Sequence, residues 1–252
     1  MSKEQIFKNR ILDLAQRAYN RGIVTFTDFL DLRELNIISS LDLSKEGVSC
    51  QLFGGYEMSE RQIVAFIPDA LSYVNDVKHP ISCVVIKPLA PKFAEKLSHR
   101  DYLGALVNLG IERSVIGDIL VNDIGAYVFC LERMVAFIIE HCTRIRHTGV
   151  NCEVIDDFTD TYEPEFERII NSVASVRLDA IIGLAFKASR SSIIGLIEGK
   201  KVFVNSKLIT SNAYQLKDRD IVSVRGFGKF VYKGEVSVTK KGRLRVQVDR
   251  YI

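Results

Sequence analysis

The residues best placed to do chemistry lie in Val176–Lys207, VRLDAIIGLAFKASRSSIIGLIEGKKVFVNSK. Leu178, Ile181, Ile182 and Ala185 recur at i, i+3, i+4 and i+7, one buried face of a helix. After a break at Lys187-Ala188-Ser189, Ile193, Leu196 and Ile197 mark a second helix that Gly199 is expected to end as its left-handed terminator. Ser189 is a natural N-cap. Arg190 follows just inside the helix, where the positive end of the dipole disfavours a cation. An anion sharing the site removes that penalty, because the N–H groups of a helix start already attract phosphate. The chemistry implied is polyanion binding, without a catalytic residue set.

The elements that must position these residues are strongly basic. From Ser172 onward there are 16 Lys and Arg against 6 Asp and Glu; before it there are 18 against 25. A net charge of +3 thus conceals a basic C-terminal module behind an acidic body, an asymmetry typical of nucleic-acid binders. The tail Arg225–Ile252 alternates in the manner of a basic β-hairpin turning at Lys240-Lys241-Gly242-Arg243. Gly226 and Gly228 read as a bulge or tight turn, and Phe186 and Phe203 as core.

Arg177-Leu178-Asp179, Lys187-Ala188-Ser189-Arg190, Ile197-x-x-Gly-Lys-Lys-Val-x-Val-Asn and KDRDIVSV over 217–224 together resemble the S4 RNA-binding domain. The resemblance implies two helices against a small sheet (an αL-type module), with RNA contacts from Arg177, Lys187, Arg190, Lys200, Lys201, Asn205 and Lys207, and with Ser189 and Ser192 bordering a phosphate. Asp179 is read as a helix-start residue orienting Arg177. Ser206 and Arg219 stand at turn positions where that family usually has glycine. Such a module grips structured RNA mainly by its backbone, so affinity is expected to fall with salt.

Upstream, Ile81–Lys87, Asp118–Val121, Ala126–Leu131 and Cys152–Ile155 read as strands, and His99–Leu109 and Glu132–Ile145 as helices. In His99–Leu109 the buried face is expected at Leu103, Leu106 and Val107. The order β-α-β-β-α-β is the split βαβ arrangement of ferredoxin-like and RNA-recognition-motif folds, here without the aromatic signature for stacking bases. HRDYLGALVNLGIERSVIGDIL, residues 99–120, is similar to a block of the bacterial YlmH-like family, which has an RRM-like middle and a C-terminal S4 domain. That resemblance implies a non-enzymatic RNA-binding protein of the large (50S) ribosomal subunit, with tRNA-bearing stalled complexes as target and an association with cell division. Structured ribosomal or transfer RNA is the implied partner, with no cofactor and a monomeric, cytoplasmic protein. Arg100 and Arg113 are candidate second contacts, with Arg225 and Lys229; alternatively Arg100 pairs with Asp101 or Asp118 and only holds its helix.

In the first 75 residues a helix is expected over Lys3–Asn20, with Ile6, Ile11, Leu14, Ala15 and Ala18 as its stripe, and another over Phe26–Leu35, capped by Thr27 or Asp28. Val48–Phe53 and Gln62–Pro68 suggest a hairpin around Gly54-Gly55. The expected class is α+β in three modules: an N-terminal α+β domain (1–75), an RRM-like domain (76–160) and an S4 domain (172–252). Boundaries fall in Ser72–Pro80 and in an acidic linker, Thr159–Ser175.

No 18-residue apolar run is present, and MSKEQIFKNR lacks the apolar core of a secretory signal. Five scattered cysteines (Cys50, Cys83, Cys130, Cys142, Cys152) suit reduced, buried thiols. His141, Cys142, His147 and Cys152 come nearest to a metal set, but adjacent helical residues diverge, so no metal is expected. An S4-containing RNA-modifying enzyme and a division scaffold with secondary RNA binding are the rival classes. The first lacks a P-loop, a GxGxxG and the nucleotide motifs of tRNA-charging enzymes, and its only Arg-Leu-Asp lies in the S4 helix.

Overall fold

The computed structural model describes residues 2–73, 77–156, 158 and 165–251. The chain divides into two compact units, 1–161 and 162–252. Residues 74–76 of the expected first boundary and 159–164 of the acidic linker lie outside the described residues, as does 157.

In the first unit, α1 (Lys3–Arg21) is capped by Ser2, whose hydroxyl accepts from Gln5 N, and it ends on left-handed Gly22. Its buried stripe is Ile11, Ala15 and Ala18, while Ile6 is exposed. After β1 (Thr25–Phe26) comes α2 (Leu32–Ser39), which starts later than expected. The two residues proposed as caps are committed elsewhere. Thr27 Oγ1 accepts from Val64 N at 3.0 Å, and Asp28 pairs with Arg10 and Arg133. Asp31 caps the helix instead, in a reciprocal box with Glu34. β2 (Val48–Phe53) and β3 (Ile63–Pro68) form the expected hairpin, with β1 on the far edge of β3.

The rest of this unit is β4 (Ile81–Pro88), α3 (His99–Asn108), β5 (Ile116–Asn122), β6 (Gly125–Leu131), α4 (Val135–His141), β7 (Arg144–Ile145) and β8 (Thr148–Ile155). The sheet order β5-β6-β4-β8-β7 is antiparallel throughout, which is the split βαβ topology with an added edge strand. α3 buries Tyr102 and Leu106, whereas Val107, expected inside, is exposed. α4 ends at His141, short of Ile145, because Arg144 and Ile145 pair with Gly149 and Thr148 in a hairpin.

The second unit begins with β9 (Phe166–Val173), so the C-terminal part of the expected linker is a strand. There follow α5 (Leu178–Phe186), α6 (Arg190–Glu198), β10 (Val202–Val204), β11 (Lys207–Leu208), β12 (Ile221–Val224), β13 (Gly228–Val238) and β14 (Leu244–Tyr251). The six strands order as β11-β10-β12-β13-β14-β9. Helices of nine residues are marginal in water, where isolated helices need about 12–15 residues, so burial must hold α5 and α6. Leu178, Ile181, Ile182 and Ala185 are fully buried with Ile193 and Ile197 of α6 and Val202, Val222, Phe230, Val246 and Val248 of the sheet.

The two departures from the S4 pattern are both in left-handed backbone, Ser206 at φ 64° and Arg219 at φ 67°. Side chains there carry a cost of roughly 1–2 kcal/mol that glycine avoids. Arg219→Gly should therefore raise stability by about 1 kcal/mol, read as a higher urea midpoint at unchanged slope. A lower midpoint would show that the Arg219 side chain supports the turn.

Candidate nucleic-acid interface

α5 and α6 meet at the joint Lys187-Ala188-Ser189, and the charged groups gather around Asp179. This carboxylate is buried in the first turn of α5. It accepts from Arg177 Nε and Nη2, both at 3.0 Å, and from Ala180 N at 3.0 Å. Arg190, at the start of α6, reaches the same carboxylate at 3.5 Å. One buried anion thus fixes two guanidinium groups and leaves a net positive cluster. Arg177 is about one-third exposed at 35% and Arg190 mostly exposed at 73%, so both present donors outward. Sequence reasoning anticipated that Asp179 orients Arg177; that it also holds Arg190 requires the helix crossing.

A shallow groove of about 460 Å³ runs beneath these arginines, lined by Ala174, Ser175, Ala180, Gly183, Ala188 and Ile193. Its small residues allow the close helix approach: a β-carbon on Gly183 would lie 3.1 Å from Ile193 Cδ1. Ser189 caps α6 as expected, accepting from Ser192 N at 3.3 Å with Ser191 Oγ 3.2 Å away. Ser189 and Ser192 therefore border the helix start, where N–H groups lack intrahelical acceptors.

Lys187 closes α5 in the left-handed conformation, φ 53° and ψ 35°, a position glycine normally takes. It is exposed and has no partner among the described residues. A strained cation at a helix joint points to function over stability. Lys187→Gly should stabilise the fold by about 1 kcal/mol while weakening RNA binding. Parallel thermal melts and RNA titrations check this, and unchanged binding would remove Lys187 from the interface.

The remaining candidates sort into groups. Lys200 supplies the left-handed turn after α6 at φ 57°, because Gly199 keeps φ −73°; this corrects the expected terminator. Lys201 O accepts from Arg225 N at 2.9 Å, which joins Arg225 to the Lys200–Lys201 turn. Lys207 is exposed on β11, the strand beside β10. Asn205 is occupied within the fold: its Nδ2 donates to Asp220 Oδ1 at 2.8 Å and its Oδ1 accepts from Ile221 N at 2.9 Å. Lys229 lies apart on β13, with its ammonium 4.6 Å from the centroid of the Tyr251 ring.

In the first unit, Arg113 faces inward. Its Nη1 donates to the carbonyls of Ile116 at 2.7 Å and Gly117 at 2.9 Å, and burial with Arg61 nearby pushes its pKa down to about 10. Arg100 is exposed, and the alternative pairings do not form. Asp101 accepts from Ser98 and Arg146, and Asp118 accepts from Tyr56 Oη, Glu60 N and Arg61 N. The sheet face carrying Tyr127 and Phe129, where an RRM-like fold would stack bases, is covered from within. Tyr56 stacks on Phe129 at 5.1 Å, and Phe158 packs edge-on to both Tyr127 and Phe129. A β-carbon on Gly55 would fall 2.2 Å from Phe129 Cδ1, so only glycine permits this closure.

Other chemistry is poorly supplied. Burial pushes the thiols of Cys83 and Cys130 up to about 12, and Cys152 is raised by its contact with Cys142. Among the described residues no group of three or more His, Cys, Asp and Glu could hold a metal ion, and no helix is long and apolar enough to cross a membrane.

Residues 3–71 match the family model "YlmH, N-terminal", and residues 81–159 match "Putative RNA-binding domain in YlmH". The ribosome-associated protein quality control protein P2 of Bacillus subtilis (strain 168) is 27% identical, over 98% of this chain and 95% of that protein. The solved structure of cell division protein ylmH from Streptococcus pneumoniae superposes with a TM-score of 0.52 at 25% identity, covering 65% of this chain and 97% of its own.

Proposed function

The chain belongs to the YlmH-like family, and from that premise we propose that it is a non-catalytic RNA-binding protein of the bacterial ribosome. Its RNA face is the α5–α6 joint of the C-terminal unit, an S4-type module. The observation that carries this reading is the buried Asp179 holding Arg177 and Arg190 side by side at a capped helix start. Two oriented guanidinium groups and a helix N-terminus suit adjacent phosphates of a folded RNA. Lys187, Lys200, Lys201, Lys207 and Arg225 extend the positive surface, while Asn205 shapes its turn.

The name of the relative, a ribosome-associated protein, supports the ribosome as the place of action; the finer target proposed here is the large subunit in tRNA-bearing stalled complexes. That assignment makes the protein cytoplasmic. The first unit is assigned docking against a second RNA or protein surface, with Arg100 as one exposed cation. Filter binding to deproteinised large-subunit RNA tests the RNA component. Affinity should fall on the order of 100-fold between about 50 and 200 mM salt, as expected for several phosphate contacts. Salt-independent binding would contradict it.

A further inference from the structure

The β13–β14 hairpin carries a further group of cations, on its strands and turn and not on the α5–α6 joint itself. Across Val236–Val248 there are four cations, Lys240, Lys241, Arg243 and Arg245, and no acidic residue. All four are exposed. Lys240, Lys241 and Arg245 have no partner among the described residues, and Arg243 is oriented by donating to Ser172 O at 3.1 Å. The tip is a fixed turn. Thr239 N donates to Arg243 O at 2.8 Å, Arg243 N donates to Thr239 Oγ1 at 3.0 Å, and Gly242 takes φ 73°. Val236 and Val238, beside the turn, are 54% and 64% exposed.

Near the turn β14 stays paired with β9 as far as Leu244, while the other edge of the hairpin opens. Pairing of β13 with β12 stops at Val231, and β13 shifts register against β14 on either side of Glu235. Bulges of this kind re-aim a strand and increase its twist. Beyond Tyr232 the outer edge of β13 has no neighbouring strand among the described residues. The end of the sheet at this turn carries cations and the two exposed valines, and with no aromatic ring between Tyr232 and Tyr251 it lacks the platform on which unpaired bases stack. It suits the phosphates and riboses that flank the wide, shallow minor groove of A-form RNA.

We propose that the Thr239–Arg243 tip and its flanking strands form a second RNA site that takes the minor groove of double-helical RNA. The inference deepens the proposed RNA-binding function, yet it can fail independently. The test is binding of the full chain to an RNA duplex of about 16 base pairs, long enough to offer two successive minor grooves, and to a uridine strand of equal length. Both are titrated across a salt series.

Lys240→Gln with Lys241→Gln should weaken duplex binding about tenfold and lower the salt slope by roughly 0.9 for each lost phosphate contact. Binding to the single strand should change little. Wild-type affinity and slope in this variant overturn the proposal, and so does an equal loss on the single strand. Arg190→Glu, measured alongside, separates the two readings: if it alone loses RNA, the helix joint stands and the hairpin site falls. Vesicles containing anionic phosphatidylserine form the last arm. Hairpin-dependent binding to these, without hairpin-dependent binding to duplex, would reassign the surface to membranes.

Discussion

Arg190→Glu is expected to lower affinity for structured RNA by about 100-fold with little effect on folding. A hydrogen bond to a charged partner contributes roughly 1.5–3 kcal/mol, and reversing the charge adds repulsion from neighbouring phosphates. A total near 3 kcal/mol corresponds to about two decades in affinity. The folding cost is small because Arg190 is 73% exposed and its approach to Asp179 is long, at 3.5 Å. Exposed pairs of this kind contribute about 1 kcal/mol or less. Arg190→Gln should fall between wild type and Arg190→Glu, since it removes attraction without adding repulsion. Equal losses in both variants would point to lost shape at the helix start as the cause.

The second large effect is on stability. Asp118→Ala removes the acceptor used by Tyr56 Oη at 2.9 Å, Glu60 N at 2.7 Å and Arg61 N at 3.1 Å. It also removes the carboxylate beside two crowded cations. Arg61 donates to the carbonyls of Phe29, Arg113 and Ile116, and Arg113 donates to those of Ile116 and Gly117. Leaving several donors unmatched near two guanidinium groups should cost about 3 kcal/mol, a large part of a typical stability of about 5–15 kcal/mol. Urea unfolding of the variant should show a clearly lower midpoint. Tyr56 would lose its anchor over Phe129, so near-ultraviolet dichroism of the folded variant should change as well. An unfolding free energy within about 0.5 kcal/mol of wild type would mean that Asp118 is a surface charge of no structural weight.

The contrast between these two residues shows what was legible in the sequence. Asp179 lies two residues from Arg177 and within one motif, so its orienting role could be read locally. Asp118 serves Tyr56, Glu60 and Arg61, which are distant in the chain, and spacing contains no trace of that contact. The same distinction separates the helices. The i, i+3, i+4, i+7 stripe of α5 is all buried, as read, because the helix lies flat on one sheet. α2 starts late because Thr27 and Asp28, good caps by residue type, are drawn to Val64, Arg10 and Arg133. α4 stops early because a hairpin competes for Arg144 and Ile145.

Among the site residues, the exposed cations of the α5–α6 joint were legible from charge and caps. The inward turn of Arg113 and the occupied amide of Asn205 were not, since both depend on backbone groups supplied by other elements. The closure of the Tyr127 and Phe129 face had one local signal, Gly54-Gly55, but a glycine pair marks a turn without naming the ring above it.

Co-sedimentation of the purified protein with small subunits, large (50S) subunits and whole ribosomes, across a salt series and with folded Arg190→Glu in parallel, tests the central claim most directly. Salt-sensitive sedimentation of wild type with large subunits, lost in Arg190→Glu, is the predicted result. Binding to no particle, or binding to large subunits that Arg190→Glu retains in full, would contradict it.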